Sequence, residues 1–188
     1  MRVHLDFEAS SLSDESYPIE VGWVFEDGTE GQFLIRPATD WTDWSTEAEA
    51  IHGISRATLD AEGTPHNEVA ARLIETLAGH NLLASAPPWD GKWMSVLLRA
   101  AGLPRHALRL NSSKVALRRE AARLLADTVA PAELPARAFT YVERILRGAP
   151  PPRHRALDDA RDEHRRWLAL RDAIAADVAV SPGSGGNP

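Results

Sequence analysis

The chain opens on an alternation. In Arg2 to Glu8, Val3, Leu5 and Phe7 are apolar while His4, Asp6 and Glu8 between them are polar, the two-residue period of a strand with distinct faces. Pro18 to Phe25 adds the apolar run IEVGWVF, and Gly31 to Ile35 adds a shorter one. Asp27-Gly28 between these two runs is a hairpin signal. The pattern predicts three strands, the last two antiparallel.

Residues 37 to 64 read as irregular, with Trp41, Trp44 and one short helix from Glu47 to His52 closed by Gly53. Thr64-Pro65 opens a helix whose apolar face is Val69, Leu73 and Leu77, ending at Gly79. Asn81 to Ser85 reads as a fourth strand, after which Pro87-Pro88 breaks the chain ahead of Trp89-Asp90. Trp93, Val96, Leu97 and Ala100 then recur at helical spacing up to Gly102. Leu108 to Asn111 is a fifth strand, followed by helices from about Lys114 to Asp127 and Glu133 to Arg147. The stretch Ala149 to Pro152 stops the chain before a last helix striped by Leu157, Ala160, Trp167, Leu170 and Ile174.

Strands first and then strands alternating with helices predict an α/β fold: a mixed five-stranded sheet flanked by helices, with strands 2 and 3 antiparallel. At 188 residues one domain over residues 1–178 is expected. Residues 179–188, rich in Gly, Ser and Pro, read as a flexible tail.

Composition narrows the chemistry. The chain has no cysteine, which excludes disulfides and thiolate ligands and leaves oxygen and imidazole for any metal. It shows no basic leader with an apolar run, and no stretch nears the roughly 18 apolar residues of a membrane span. A cytoplasmic protein with no membrane partner is the expectation. The net charge of −6 hides an asymmetry: residues 1–95 carry 5 Lys+Arg against 17 Asp+Glu, and residues 96–188 carry 16 against 10. Such a division can set an acidic metal site beside a basic phosphate-binding wall, although arginines on solvated helix faces produce the same count.

Strand alternation makes Asp6 and Glu8 neighbours on one face and turns Phe7 to the other. Two carboxylates that close repel unless a cation, a base or water relieves them. Hard oxygen ligands suit Mg²⁺ or Mn²⁺, in which case further acids should converge. Asp90 stands at a helix start directly after a strand, where an N-terminal cap explains an acid equally well. Asp158 and Asp159 likewise lie in a first turn, but His154 five positions before Asp159 could hang over the same site and act as a base near neutrality. His4 shares the face of Asp6 and Glu8 and reads as a packed histidine.

Taken together, DFE at Asp6 to Glu8, WD at Trp89-Asp90 and HRALDD at His154 to Asp159 resemble, in order and spacing, the DEDD superfamily of 3'-5' exonucleases. The histidine places the likeness in the DEDDh branch, with the proofreading exonuclease of bacterial DNA polymerase, ribonuclease T and oligoribonuclease. IHGIS, Ile51 to Ser55, looks like that group's HGI segment. The likeness spans residues 2 to about 170. No tyrosine follows Arg147, so the tyrosine branch does not fit. Ser85 and Ala86 replace a His-Asn pair common before the third acid.

The resemblance implies a ribonuclease H-like fold in which Asp6, Glu8, Asp90 and Asp159 hold two divalent ions, Mg²⁺ or Mn²⁺, and His154 is the general base. It implies release of nucleoside 5'-monophosphates from 3' ends of single-stranded RNA or DNA. DFEAS is nearer the wording of RNA-processing members, which favours RNA. Ala9, Ser10, His52, Ile54 and Trp89 are the implied substrate contacts, with Arg153 and Arg155 near a phosphate. A homodimer is among the assemblies implied. The rival reading is a non-catalytic module of the same fold that binds nucleic acid or protein.

Overall fold

The computed structural model describes residues 1–180. A six-stranded mixed sheet forms its centre: β1 (Arg2–Ala9), β2 (Pro18–Phe25), β3 (Glu30–Arg36), β4 (Thr64–Pro65), β5 (Asn81–Ala84) and β6 (Leu110–Ser112). Their spatial order is β4-β3-β2-β1-β5-β6. β1–β2 and β2–β3 are antiparallel, whereas β5 runs parallel to β1 and β6 parallel to β5. The expected α/β class and the antiparallel pair are both present. The sixth strand is the two-residue β4, a segment read as a helix start; its pairing with Ile35 and Arg36 precedes α3 (His66–Leu77).

The alternation of β1 sorts its side chains as predicted. Val3, Leu5, Phe7 and Ala9 enter one core with Val69, Leu73 and Leu77 of α3 and Trp93, Met94 and Leu97 of α4 (Pro87–Ala100). Fully buried aliphatic side chains such as Leu5 and Leu73 each contribute about 1.5–3 kcal/mol. The opposite face of the sheet is covered by α5 (Ser113–Leu125), α6 (Leu134–Arg147) and α7 (Ala156–Val180), which share a second core around Leu83, Leu117, Val142 and Trp167. His4 packs there, its ring 5.6 Å from His164 and 6.0 Å from Trp167. Burial, then His164 and Arg2, push its pKa down to about 4.

Within the stretch expected to be irregular, α1 (Thr46–His52) is joined by α2 (Arg56–Glu62). Ser55 caps α2 by accepting from the Thr58 N–H, and Leu59 anchors it in the core. The prolines at Pro87-Pro88 occupy the first turn of α4 instead of ending the element before it, a position where a missing N–H costs nothing. α7 runs to Val180, two residues past the expected domain boundary, and residues 181–188 of the expected tail lie outside the described residues.

One glycine sets the position of α7. Gly22 pairs with Asp6 across β1 and β2, and a Cβ on it would overlap the main chain of Ala156 and Leu157. Its bare backbone lets the first turn of α7 press onto the sheet beside Asp6.

Candidate active site

A cleft of about 500 Å³ opens where β1 and β5 end and α4 and α7 begin. Asp6 and Glu8 reach it from the α7 face of β1, Asp90 from the first turn of α4, and Asp159 from the first turn of α7. Asp6, Glu8 and Asp159 each place a carboxylate oxygen within 4.8 Å of the others. Asp90 stands outside that tight group yet acts electrostatically on both Asp6 and Glu8.

Local structure explains each placement. Asp90 Oδ2 accepts from the Ala86 N–H at 3.2 Å, reaching back from the first turn of α4 to its N-cap residue, so Asp90 is a first-turn acid and not the cap itself. Asp90 is nonetheless 2% exposed and lines the cleft, so it serves both places. Asp159 accepts from the main-chain N–H groups of Arg153 and His154, both at 2.8 Å, and thereby wraps the preceding loop over itself. His154 has φ +56°, a left-handed conformation uncommon outside glycine, held there by that hydrogen bond. Asp158 faces away and pairs with Arg161 at 3.0 Å.

The acids crowd one another. Burial, then Asp90, Glu8, Asp159 and Glu163, raise the Asp6 carboxyl well above its usual range. Burial and the Asp159 charge push Glu8 up to about 8. Asp90 is pushed up to about 7 by burial and Glu163, against main-chain hydrogen bonding from Ala86 and Phe7. A cluster in which every ionisation opposes the next is stable in its charged form only with cations present. Its all-oxygen donors suit hard divalent ions.

Among the expected substrate contacts, Ala9, His52 and Trp89 line the cleft. His52 Nδ1 accepts from the Ile54 N–H at 3.1 Å, and its Nε2 is buried with no partner. Burial lowers its pKa, leaving a neutral ring. Trp89 is 37% exposed and lies 5.7 Å from Trp93, whose Nε1 donates to Ser16. Ser10 and Ile54 do not line the cleft. The Ser10 main chain is consumed by Tyr17 and Ser45 and its hydroxyl by Asp43, while Ile54 is packed with Tyr17, Ile19 and Leu59. Arg153 and Arg155 are also engaged within the protein, by Asp162 and Glu20.

Several residues of the cleft and its supports carry little signal in the sequence. Glu163 and Arg166 follow Asp159 at four and seven positions, line the cleft and pair with each other; helical spacing was the available signal. Leu12 and Ile51, both well exposed, form an apolar rim. Glu20 is buried on β2, accepts from Arg155 Nη2 at 2.7 Å and from the Ala156 N–H at 2.9 Å, and so ties the start of α7 to the sheet. An acid inside an otherwise apolar strand was its signal.

Sheet order, crossing helices and acids at the strand ends define the ribonuclease H-like α/β fold of exonucleases. Similar solved structures are of exonuclease I. The zinc-bound E. coli exonuclease I–single-stranded DNA complex matches with a TM-score of 0.63 and 16% identity, over 96% of this chain and 42% of that one. The E. coli enzyme with a dT13 oligonucleotide gives 0.62 and 15% over 96% and 43%. A complex of exonuclease I with the SSB C-terminus gives 0.54 and 16% over 69% and 31%. This chain therefore spans less than half the length of those proteins, and at such identity the likeness is one of fold. No protein-family profile and no curated protein sequence matches the chain.

Proposed function

We propose that this chain is a divalent-metal-dependent 3'-5' exonuclease acting on single-stranded nucleic acid. The observation that carries the reading is the convergence of Asp6, Glu8 and Asp159 within 4.8 Å on the floor of a cleft. Asp90 beside them and His154 on the wall complete the constellation that the motifs imply. Asp6, Glu8, Asp90 and Asp159 would hold the ions, Mg²⁺ or Mn²⁺. Bound there, such ions polarise a phosphodiester and lower the pKa of water.

The remaining roles fall to the chain's own groups. The His154 imidazole takes the proton of the attacking water, and its loop is held in place through Asp159 and the Glu20–Arg155 pair. Trp89 offers an aromatic face to the terminal base. His52 lies in the cleft wall with its Nε2 buried and unpaired in the protein, a donor that a substrate reaches only if the ring turns. The apolar rim and the neutral His52 favour an unpaired end over a duplex.

Two indications bear on the sugar. DFEAS favours RNA, whereas the similar structures are complexes with single-stranded DNA. Matched DNA and RNA oligomers labelled at the 3' end, incubated with Mg²⁺ or Mn²⁺ and then with EDTA, test the proposal. The expected result is metal-dependent release of label from at least one of them. Absence of release from both would leave the rival reading, a non-catalytic binding module.

A further inference from the structure

Apart from Arg166, the arginines of the chain's second half do not line the cleft; two of them, Arg119 and Arg123, join Arg2 around a separate cavity of about 320 Å³. That cavity runs along the β5–β6 side of the sheet, from the start of β1 and β5 at Arg2 and Asn81 up to Ser112, which is level with Ala84 at the end of β5. Arg2 in this cavity and Glu8 in the cleft are six strand steps of about 3.3 Å, roughly 20 Å, apart.

Three guanidiniums, Arg2, Arg119 and Arg123, line this cavity against one carboxylate, Glu120. Glu120 is buried and already satisfied: Arg123 holds it through Nε and Nη2 at 2.9 Å each, and Arg171 Nε stands 3.8 Å away. Arg2 pairs with Glu26 and lays its guanidinium 4.2 Å over the Trp167 ring. Arg119 is exposed at the cavity wall. The wall also has more donors than acceptors. Arg2 Nε and Trp167 Nε1 are buried with no acceptor, and Trp167 as a whole is 2% exposed. Buried donors are ordinarily satisfied, and what completes a wall of surplus donors and positive charge is an anion rich in acceptor oxygens.

We propose that this cavity is a second anion site, which takes a backbone phosphate of the single strand whose 3' end enters the cleft. The anion assignment stands on the cavity's own donors; its assignment to a nucleic-acid strand rests on the exonuclease reading. Arg119 supplies a guanidinium free to bind phosphate oxygens in pairs, while Arg2 and Arg123 supply the surrounding field. Such a site selects strands long enough to bridge both cavities.

The test uses the whole protein in EDTA, where the cleft is a cluster of unneutralised acids that repels anions. Inorganic phosphate added to isotope-labelled protein is expected to shift the indole N–H resonance of Trp167. Arg119→Glu is expected to weaken that binding roughly tenfold, with Arg119→Lys recovering part of it. The same Arg119→Glu variant is expected to weaken binding of a pentadecamer roughly tenfold and lower its salt dependence by about one phosphate contact. A dinucleotide, too short to bridge the sites, should bind no more tightly than inorganic phosphate does. Unchanged phosphate binding in Arg119→Glu overturns the anion site. Loss of phosphate binding with unchanged pentadecamer affinity overturns the strand assignment and makes free phosphate or a mononucleotide the ligand. If both affinities fall while no 3' end is ever released, the second site stands and the exonuclease reading falls.

Discussion

Glu8 and Asp90, pushed up to about 8 and about 7, and Asp6, raised well above its usual range, keep protons in the folded protein that an unfolded chain gives up. The sign of the consequence follows from proton counting. Between the ordinary carboxylate range and about pH 8 the folded state binds more protons, so the stability these groups contribute is present at acid pH and lost as pH rises. The metal-free protein is expected to melt at progressively lower temperature from about pH 5 to pH 8. Added Mn²⁺ should remove most of that fall. A metal-free melting temperature that rises steadily over this range would contradict the crowding described here. His154 has a separate expectation: His154→Ala should lower kcat by roughly 10²–10⁴ while leaving Mn²⁺ affinity, measured by calorimetry, near that of the unaltered protein. An equal loss of metal binding would place His154 among the ligands.

At the level of elements, the geometry depends on how α7 meets β2. Gly22 leaves space for Ala156 and Leu157, and Glu20 holds Arg155 and the Ala156 N–H. Gly22→Ala forces that first turn outward and should destabilise the protein by about 1–3 kcal/mol, the usual penalty of overpacking, as read from denaturant unfolding. Activity should fall further than stability, because Asp159 and the His154 loop move with α7. Glu20→Gln weakens a charged hydrogen-bond cluster and should cost about 1–3 kcal/mol, with Arg155, half-exposed, partly re-solvated. A variant as stable as the parent in either case would show that this junction does not set the helix position.

The same elements show how far the sequence could be read. β1 and β2 were legible because strict alternation and an apolar run are local signals, and the motif acids could be placed at strand ends and helix starts from turn chemistry alone. β4 was not, since two residues carry no period and pair only because β3 lies alongside. α2 hid in a segment with one buried leucine, Leu59, and a serine cap. Ser10 fits the implied motif yet is spent on Tyr17, Asp43 and Ser45, contacts separated from it in sequence. Glu20 and Glu163 gain their significance only when the sheet and α7 come together, which no window along the chain reveals.

Across the whole molecule, the acidic first half supplies Asp6, Glu8 and Asp90, and the basic second half supplies Asp159 on α7, His154 in the loop before it, and Arg119 and Arg123 in the wall of the second cavity. Net negative charge therefore coexists with a cavity lined by three arginines, because the sign is sorted by location. Among the described residues no helix is long and apolar enough to cross a membrane. We propose that the Asp6–Glu8–Asp159 cluster hydrolyses a strand from its 3' end with metal bound. A 5'-labelled oligonucleotide incubated with the protein and Mn²⁺, beside Asp159→Asn, tests it most directly. The expected result is a ladder shortening one nucleotide at a time with 5'-mononucleotides released, abolished by EDTA and reduced in Asp159→Asn by on the order of a hundredfold or more. An intact strand with the folded, Mn²⁺-loaded protein, or an undiminished ladder in Asp159→Asn, would contradict it.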